Sequence, residues 1–586
     1  MAADGSLAPR SLRRKDNNLS LRLLANRVAA AALIAATVQG CAPTMSQQSQ
    51  VTLAIVNAKV WTANPRQPWA SGIAVSGDRI TLVGSSAEVS KLAAANPSAR
   101  VIDAGGGLVT PGFIDSHVHF LAGGFNLSSV QLRDAATPQE FIRRVKEYAA
   151  TAQPGTWISG GDWDHTLWGG ELPRHDWIDS VTPNNPVWIN RLDGHMALAN
   201  KLAMDAARVT RSTADIEGGT IVRDASGNPT GIFKDNAQSY VDKAQPANSA
   251  EQDDRSLDAA MKYVAERGVT SVVNMGTFGN LAAMERAHKA GKLITRIYAV
   301  TPIAEWTRLR DTVAARGKGD EWIRIGGLKG FVDGSLGSHT AAMFAPFSDS
   351  PKDSGFLVEA EKDLYDWTSG ADKAGLQVIV HAIGDRAINT QLNIFERVAN
   401  ENGARDRRFR IEHAQHLAAG DVPRFARLGV IPSMQPYHAI DDGRWAERVI
   451  GRERAKLTYA FKSLNDAGAR LVFGSDWFVA PPTPLLGIYA AVTRRTLDGK
   501  NPEGWIPEQK ITPEDALRAY TINGAYASFD DNIKGSIERG KLADVVIIDR
   551  DLTRIPPEQI ADAKVTMTIV GGRVVYENSH KSGNHQ

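Results

Sequence analysis

The stretch LVTPGFIDSHVHF, residues 108–120, is an apolar run that ends in two histidines one residue apart. Side chains two apart on a β-strand share a face, so His117 and His119 project together while Val118 packs behind them. That is a chelating arrangement. Thirteen histidines in 586 residues make an accidental His-x-His pair roughly a one-in-three event, so its meaning depends on what the rest of the chain supplies.

Outward from this run the chain alternates strand-like and helix-like segments. Further strands are read at VTSVVNMG (269–276), ITRIYAVTP (294–302), WIRIGGLKGFVDG (322–334), LQVIVHAIGD (376–385), RFRIEHAQ (408–415), VIPSMQP (430–436) and RLVFGSDW (470–477). Helical stretches at 254–268, 281–291, 385–403 and 453–468 separate most of them, each closing on a glycine as helix C-termini do. Eight strands with helical returns predict an α/β fold, a (β/α)8 TIM barrel over residues 108–534. An insertion at 121–250, rich in Trp, Gly and Asp, follows the first strand and is expected to roof the pocket at the barrel's C-terminal face. Before and after the barrel, residues 51–107 and 535–580 carry β-branched alternation broken by Gly-Asp and Gly-Gly turns. These two end segments are expected to pair as a small β-sandwich.

Composition narrows the function. Sixty-seven basic against 65 acidic residues leave a net charge of +2, with no basic stripe for nucleic acid. The single cysteine, Cys41, excludes an internal disulfide and any Cys-rich zinc site, so a metal would need His, Asp, Glu or Lys-derived ligands. Cys41 follows VAAAALIAATVQG (28–40), whose apolar part is too short for the ~20 residues that span a bilayer but suits a secretory signal. Val38-Gln39-Gly40-Cys41 resembles a bacterial lipoprotein cleavage site, with Cys41 lipidated and residues 42–50 a polar tether. The expectation is an exported protein, periplasmic or on the cell surface, held to the membrane only by that lipid. A buried N-terminal helix is the alternative, and Arg13-Arg14 leaves Sec and twin-arginine export both open.

In a barrel the informative residues are polar ones at strand C-termini. They are His117 and His119 on the first strand, Lys329 on the fourth, His381 on the fifth, His413 on the sixth and Asp476 on the eighth. Alone, His381 or His413 reads as a hydrogen-bonded core histidine, Lys329 as a snorkelling lysine and Asp476 as a turn cap. Six charged or polar groups ending successive apolar runs are costly to bury separately, and a metal centre would compensate them together.

The segments PGFIDSHVHF (111–120), LKGFVDGSLGSHTAAM (328–343), VIVHAIGDRAI (378–388), RIEHAQ (410–415), FGSDW (473–477) and GKLADVVIID (540–549) resemble the amidohydrolase superfamily, and within it amidohydrolase family 3, which includes N-substituted formamide deformylases. The resemblance runs from about Val51 to Tyr576 and implies hydrolysis of an amide C–N bond at one or two divalent metal ions. It implies His117, His119 and Asp476 as ligands of one ion, His381 and His413 of a second, and Lys329 as a bridge in the form of a CO2-derived carbamate. Nitrogen and oxygen ligands favour zinc. The implied chemistry is attack by metal-activated hydroxide, with Asp476 taking the water's proton and returning it to the leaving nitrogen.

His195 in RLDGHMALAN matches the family's DGH segment and is expected to bind the substrate carbonyl or its oxyanion; a structural histidine of the insertion is the equal alternative. Asp162, Trp163 and His165 are expected to line the pocket, and Asp333 to support the ligands or form a turn. His339 stands where relatives commonly carry arginine, which removes a forked, permanently charged donor from a candidate substrate-binding position. The expected substrate is a small N-acyl or N-formyl compound. An esterase or lactonase, which uses the same hydroxide, and a surface-anchored binding protein without chemistry are the competing readings. Homo-oligomerisation is left open.

Overall fold

The computed structural model describes residues 50–578; Cys41, the segment before it and the tether up to Ser49 lie outside these residues. Eight parallel strands form the central sheet: β1 (Phe113–Val118), β2 (Val269–Met275), β3 (Arg296–Pro302), β4 (Ile323–Phe331), β5 (Gln377–Ala382), β6 (Arg410–His413), β7 (Ile431–Met434) and β8 (Val472–Phe473). Each pairs with the next in chain order. Just past β8 the chain returns to β1, where the Asp476 N–H donates to His117 O at 2.7 Å and the His119 N–H donates to Trp477 O at 2.6 Å. The sheet is thus a (β/α)8 barrel that closes at the backbone of the residues the sequence singles out.

That closure needs Gly474. A Cβ there would stand 2.6 Å from His117 N, so only glycine lets the eighth strand approach the first so closely. The strands β1, β2 and β5 are buried along their whole length, which is why their sequences do not alternate between an apolar and a solvated face. Among the outer helices, Ala250–Ala265 and Phe278–Lys289 begin with capping boxes from Ser249 and Thr277. The stretch 453–468 departs from expectation: it is two short helices, Arg452–Ala455 and Phe461–Asp466. Between them Tyr459 adopts φ 50° and donates its N–H to Gln415 O at 2.8 Å, so pairing with the β6 loop overrides the helical period.

The insertion is a six-stranded mixed sheet in the order Gly219–Arg223, Pro229–Asp235, Met196–Ala199, Val187–Arg191, Ile158–Trp163, Val130–Gln131. Alternate residues fill separate apolar clusters: Ile189, Leu198 and Ile232 in one, Trp188, Ala197 and Phe233 in the other. The chain ends build two further sheets. The C-terminal strand Val545–Ile548 pairs antiparallel with Leu108–Pro111, directly before β1. Leu53, Ile55 and Ile73 of the four-stranded sheet pack with Val109, Val545 and Ile569 of the six-stranded one. Among the described residues no helix is long and apolar enough to cross a membrane.

Candidate metal centre

The C-terminal ends of β1, β4, β5, β6 and the turn after β8 bring His117, His119, Lys329, His381, His413 and Asp476 around one cavity. Asp476 Oδ1 lies 3.3 Å from both His117 Nε2 and His119 Nε2. Ligand atoms of these three residues all fall within 4.8 Å of one another. Lys329 Nζ lies 3.3 Å from His117 Nε2. The His413 ring stands 5.0 Å from that of His117 and 4.5 Å from that of His381. Asp476 has φ 61° and His413 φ 69°, left-handed backbone that turns each side chain inward at its strand end.

The surroundings hold these groups in the form a metal requires. Glu412, fully buried, takes a 2.6 Å hydrogen bond from His117 Nδ1 and is itself fixed by Arg410 Nε at 2.8 Å. His413 Nδ1 is engaged by Gln435 Oε1 at 2.9 Å. Each contact leaves Nε2 of its ring free for the centre. Burial holds the pKa of His117, His381 and His413 well below the usual histidine range, with Lys329 and neighbouring imidazoles adding to the effect. The rings are neutral and carry lone pairs. The His117–Glu412 contact is therefore a hydrogen bond from a neutral ring rather than an ion pair. Burial likewise pushes the Lys329 ammonium down to about 8, against the pull of Glu412 and Asp476. Asp476 Oδ1 is buried and has no hydrogen-bond partner among the described residues, a costly state that a cation between it and the two imidazoles would relieve.

Around this group lies a cavity of about 460 Å³, lined by His195, Asp235, Phe331, Asp333, Phe478 and Val479 as well as the strand-end residues. His195 Nδ1 is hydrogen-bonded to Asp235 Oδ1 at 2.7 Å, and its ring stands 4.8 Å from that of His381. Burial opposes charge on His195, but the hydrogen bond and charge of Asp235 outweigh it and raise its pKa. Asp333 supports the site from behind. Its carboxylate accepts from Ile383 N at 2.9 Å and from Gly384 N and Ala342 N at 2.8 Å, joining the loops after β4 and β5. Asp115 does the same for β1 and the turn after β8, accepting from the N–H of Ser475 at 2.8 Å and its hydroxyl at 2.5 Å.

Four residues expected at the pocket stand elsewhere. Trp163 is fully buried in the insertion, where its indole N–H donates to Ile189 O at 2.9 Å. Asp162 accepts from Asn126 and Asn190, and His165 Nδ1 accepts from Arg191 Nε at 3.3 Å, so both brace the insertion. The neighbouring Asp164 instead lines a second, smaller cavity of about 50 Å³ that adjoins His381, His413 and Asp476. His339 pairs with Asp349 at 3.0 Å and packs its edge on Phe347, away from both cavities around the histidines. Conversely, sequence reading passed over Glu412, Asp235 and His438. Glu412 carried the same signal as Lys329, a charge inside an apolar strand; Asp235 ends the insertion strand Pro229–Asp235 and His438 lies in the helix Pro436–Asp442, so neither closes a barrel strand.

The amidohydrolase family model matches residues 100–576. The chain is 41% identical over 537 residues to the protein LONG AFTER FAR-RED 3 of Arabidopsis thaliana, covering 89% of this chain and 91% of the relative. It is 31% identical over 554 residues to an N-substituted formamide deformylase of Arthrobacter pascens, covering 90% and 98%. Among solved structures, an uncharacterized metal-dependent hydrolase from Pyrococcus horikoshii superposes with a TM-score of 0.70 at 29% identity, covering 86% of this chain and 99% of that one. With its barrel, its His/Asp group and these matches along nearly its whole described length, the chain belongs to the amidohydrolase family.

Proposed function

We propose that the protein is a metal-dependent hydrolase of the C–N bond in a small N-acyl or N-formyl compound. The observation that carries this reading is the buried, unpartnered Asp476 Oδ1 facing two imidazole nitrogens on the wall of a substrate-sized cavity. His117, His119 and Asp476 would hold one divalent ion, with zinc favoured by the ligand types. When bound, the ion supplies Lewis acidity toward a carbonyl and lowers the pKa of water to about 7.

The protein's own groups supply the rest. The Asp476 carboxylate, which has a second oxygen besides the Oδ1 that faces the imidazoles, would take the proton of the attacking water and deliver it to the leaving nitrogen, which departs as an amine because an amide anion leaves poorly. His195, oriented by Asp235, turns its other ring nitrogen to the substrate oxygen, and its raised pKa suits a donor. Lys329 serves as a carbamate, since an ammonium would repel a cation and its lowered pKa exposes the neutral amine that carbon dioxide needs. Phe331, Phe478 and Val479 offer apolar surface to the acyl or amine substituent.

The test is a panel of N-formyl and N-acetyl amines with matched esters. Chelator-treated protein is expected to lose turnover and zinc or cobalt to restore it, with formamides and amides among the substrates turned over. Restored protein that cleaves every ester and no amide would replace this reading with an esterase. We also propose that the chain is exported and anchored through lipid on Cys41. Expressed in a bacterial host, Cys41→Ser is expected to move the protein from membranes to the soluble fraction; unchanged partition would remove the anchor.

A further inference from the structure

Resting on the proposed amide hydrolysis, we infer that the substrate is a mono-N-acylated diamine or polyamine, whose second, protonated amine is held by Asp242 and Glu359 while its amide stands at the metal centre. Beyond the candidate ligands, the wall of the 460 Å³ cavity carries unbalanced charge of one sign. Lys329 is the one lysine or arginine among the described residues that line it, and it stands among the ligands. Of the acids, Asp193 is ion-paired with Arg191 at 2.6 Å, and Asp333 accepts backbone N–H groups. Asp242 receives the neutral indole N–H of Trp188 at 2.9 Å, and Glu359 has no hydrogen bond or ion pair among the described residues. Neither meets a cation.

Adjoining segments deliver these carboxylates to the same cavity. Asp235 ends the strand Pro229–Asp235, and the short helix Ser239–Asp242 that follows closes on Asp242. Between them Asn236 Nδ2 donates to Val358 O at 3.1 Å, while the Val358 N–H donates to Val332 O at 2.8 Å just past β4. Glu359 is thereby fixed at the seam of insertion and barrel. An independent observation on Asp235 points the same way: one oxygen meets His195, but Oδ2 is buried and has no hydrogen-bond partner among the described residues, on a side chain only 2% exposed. An ammonium offers three N–H groups and can serve more than one carboxylate. The protein packed around Asp242 raises its pKa, offset in part by the indole, and it raises that of Glu359, where Asp363 and Glu217 add to the effect. Carboxylates held so unfavourably gain from a cation.

The shape of the space selects a linear amine. A further cavity of about 620 Å³ shares His119, Gly194, Gln238, Asp242 and Phe478 with the first, so room continues past Asp242. Its acids are Asp242 and Asp253, and no lysine or arginine lines it among the described residues. Trp188 and Phe478 offer faces to a methylene chain and to the cation that ends it. An N-acyl amino acid would bring its carboxylate against these acids. Hydrolysis adds one water across the C–N bond and releases a carboxylate and the free diamine, whose second ammonium takes no part in the step.

The test varies charge at constant length. Metal-reconstituted full-length protein is assayed with the N-acetyl amides of diaminobutane, pentylamine and aminobutanoate, which end in an ammonium, a methyl and a carboxylate. The ammonium compound is expected to show kcat/KM at least about tenfold above the methyl compound, with the carboxylate lowest, and its advantage to shrink as salt rises. Asp242→Asn and Glu359→Gln are each expected to cut the ammonium-to-methyl ratio by about fivefold. A ratio measured within one variant does not depend on the fraction that folds. Wild type that prefers the methyl or carboxylate compound, or does not distinguish the ammonium, overturns the inference and leaves amide hydrolysis standing; an unchanged ratio in both variants overturns it too. Calorimetric binding of the same compounds decides where no amide is cleaved: tighter binding of the ammonium compound, weakened in Asp242→Asn, keeps the cation site while the amide reading falls, and equal or absent binding overturns both.

Discussion

Asp476→Asn lowers kcat/KM for an amide substrate by at least about 1,000-fold, the upper range expected when one group is both proton carrier and ligand. Asparagine is the sharper probe than alanine. Asp476 sits at φ 61°, a conformation that asparagine tolerates and alanine resists, so the amide keeps the turn and its N–H bond to His117 O. What it loses is the charge and the proton-accepting oxygen. The two roles separate on substrates of different leaving group. An ester with an acidic alcohol departs without protonation, so its loss reports mainly on metal binding; an amide suffers that loss and the missing proton besides. A larger deficit on the amide than on the activated ester, with metal content measured alongside, assigns proton delivery to Asp476. Amide turnover within tenfold of wild type would remove Asp476 from the chemistry.

The six strand-end residues were legible for a physical reason. A histidine, lysine or aspartate closing an apolar run stands where desolvation makes an unneeded charge expensive, and the eight runs themselves announced the barrel. The insertion was not legible in this way. Trp163 and His165 look like pocket residues in a Trp- and Gly-rich stretch, yet the indole of Trp163 fills the core of a six-stranded sheet whose mixed order no local pattern reveals. Glu412 was hidden by its neighbour. Strict alternation sends Glu412 and His413 to opposite faces, but the left-handed backbone at His413 re-aims that ring toward the group that Glu412 already touches through His117. Tyr459 misled in the other direction, since helical spacing from 453 to 468 said nothing of a hydrogen bond to Gln415.

Lys329→Ala is expected to lose at least about 100-fold in activity and in metal affinity, and to recover part of both when formate, acetate or propionate is added. The argument starts from burial. Lys329 lies against His117 Nε2 at 3.3 Å, where an ammonium would compete with a cation for the same lone pair. A carbamate reverses the sign, presenting anionic oxygens to the position the ammonium would repel. Alanine leaves space that a small carboxylate fills with the same charge and shape. The acid–base balance makes the modification itself testable. Carbon dioxide reacts with the neutral amine, and burial lowers the Lys329 pKa to about 8. At fixed dissolved carbon dioxide, the rate at which metal-free protein regains metal binding should therefore rise roughly tenfold per pH unit below that value and level off above it. Mass spectrometry of the intact holoprotein, gently ionised, should show one added carbon dioxide in wild type and none in Lys329→Ala. Full activity in Lys329→Ala, or reactivation of wild type at equal rate in buffers purged of carbon dioxide, would take the lysine out of the ligand set.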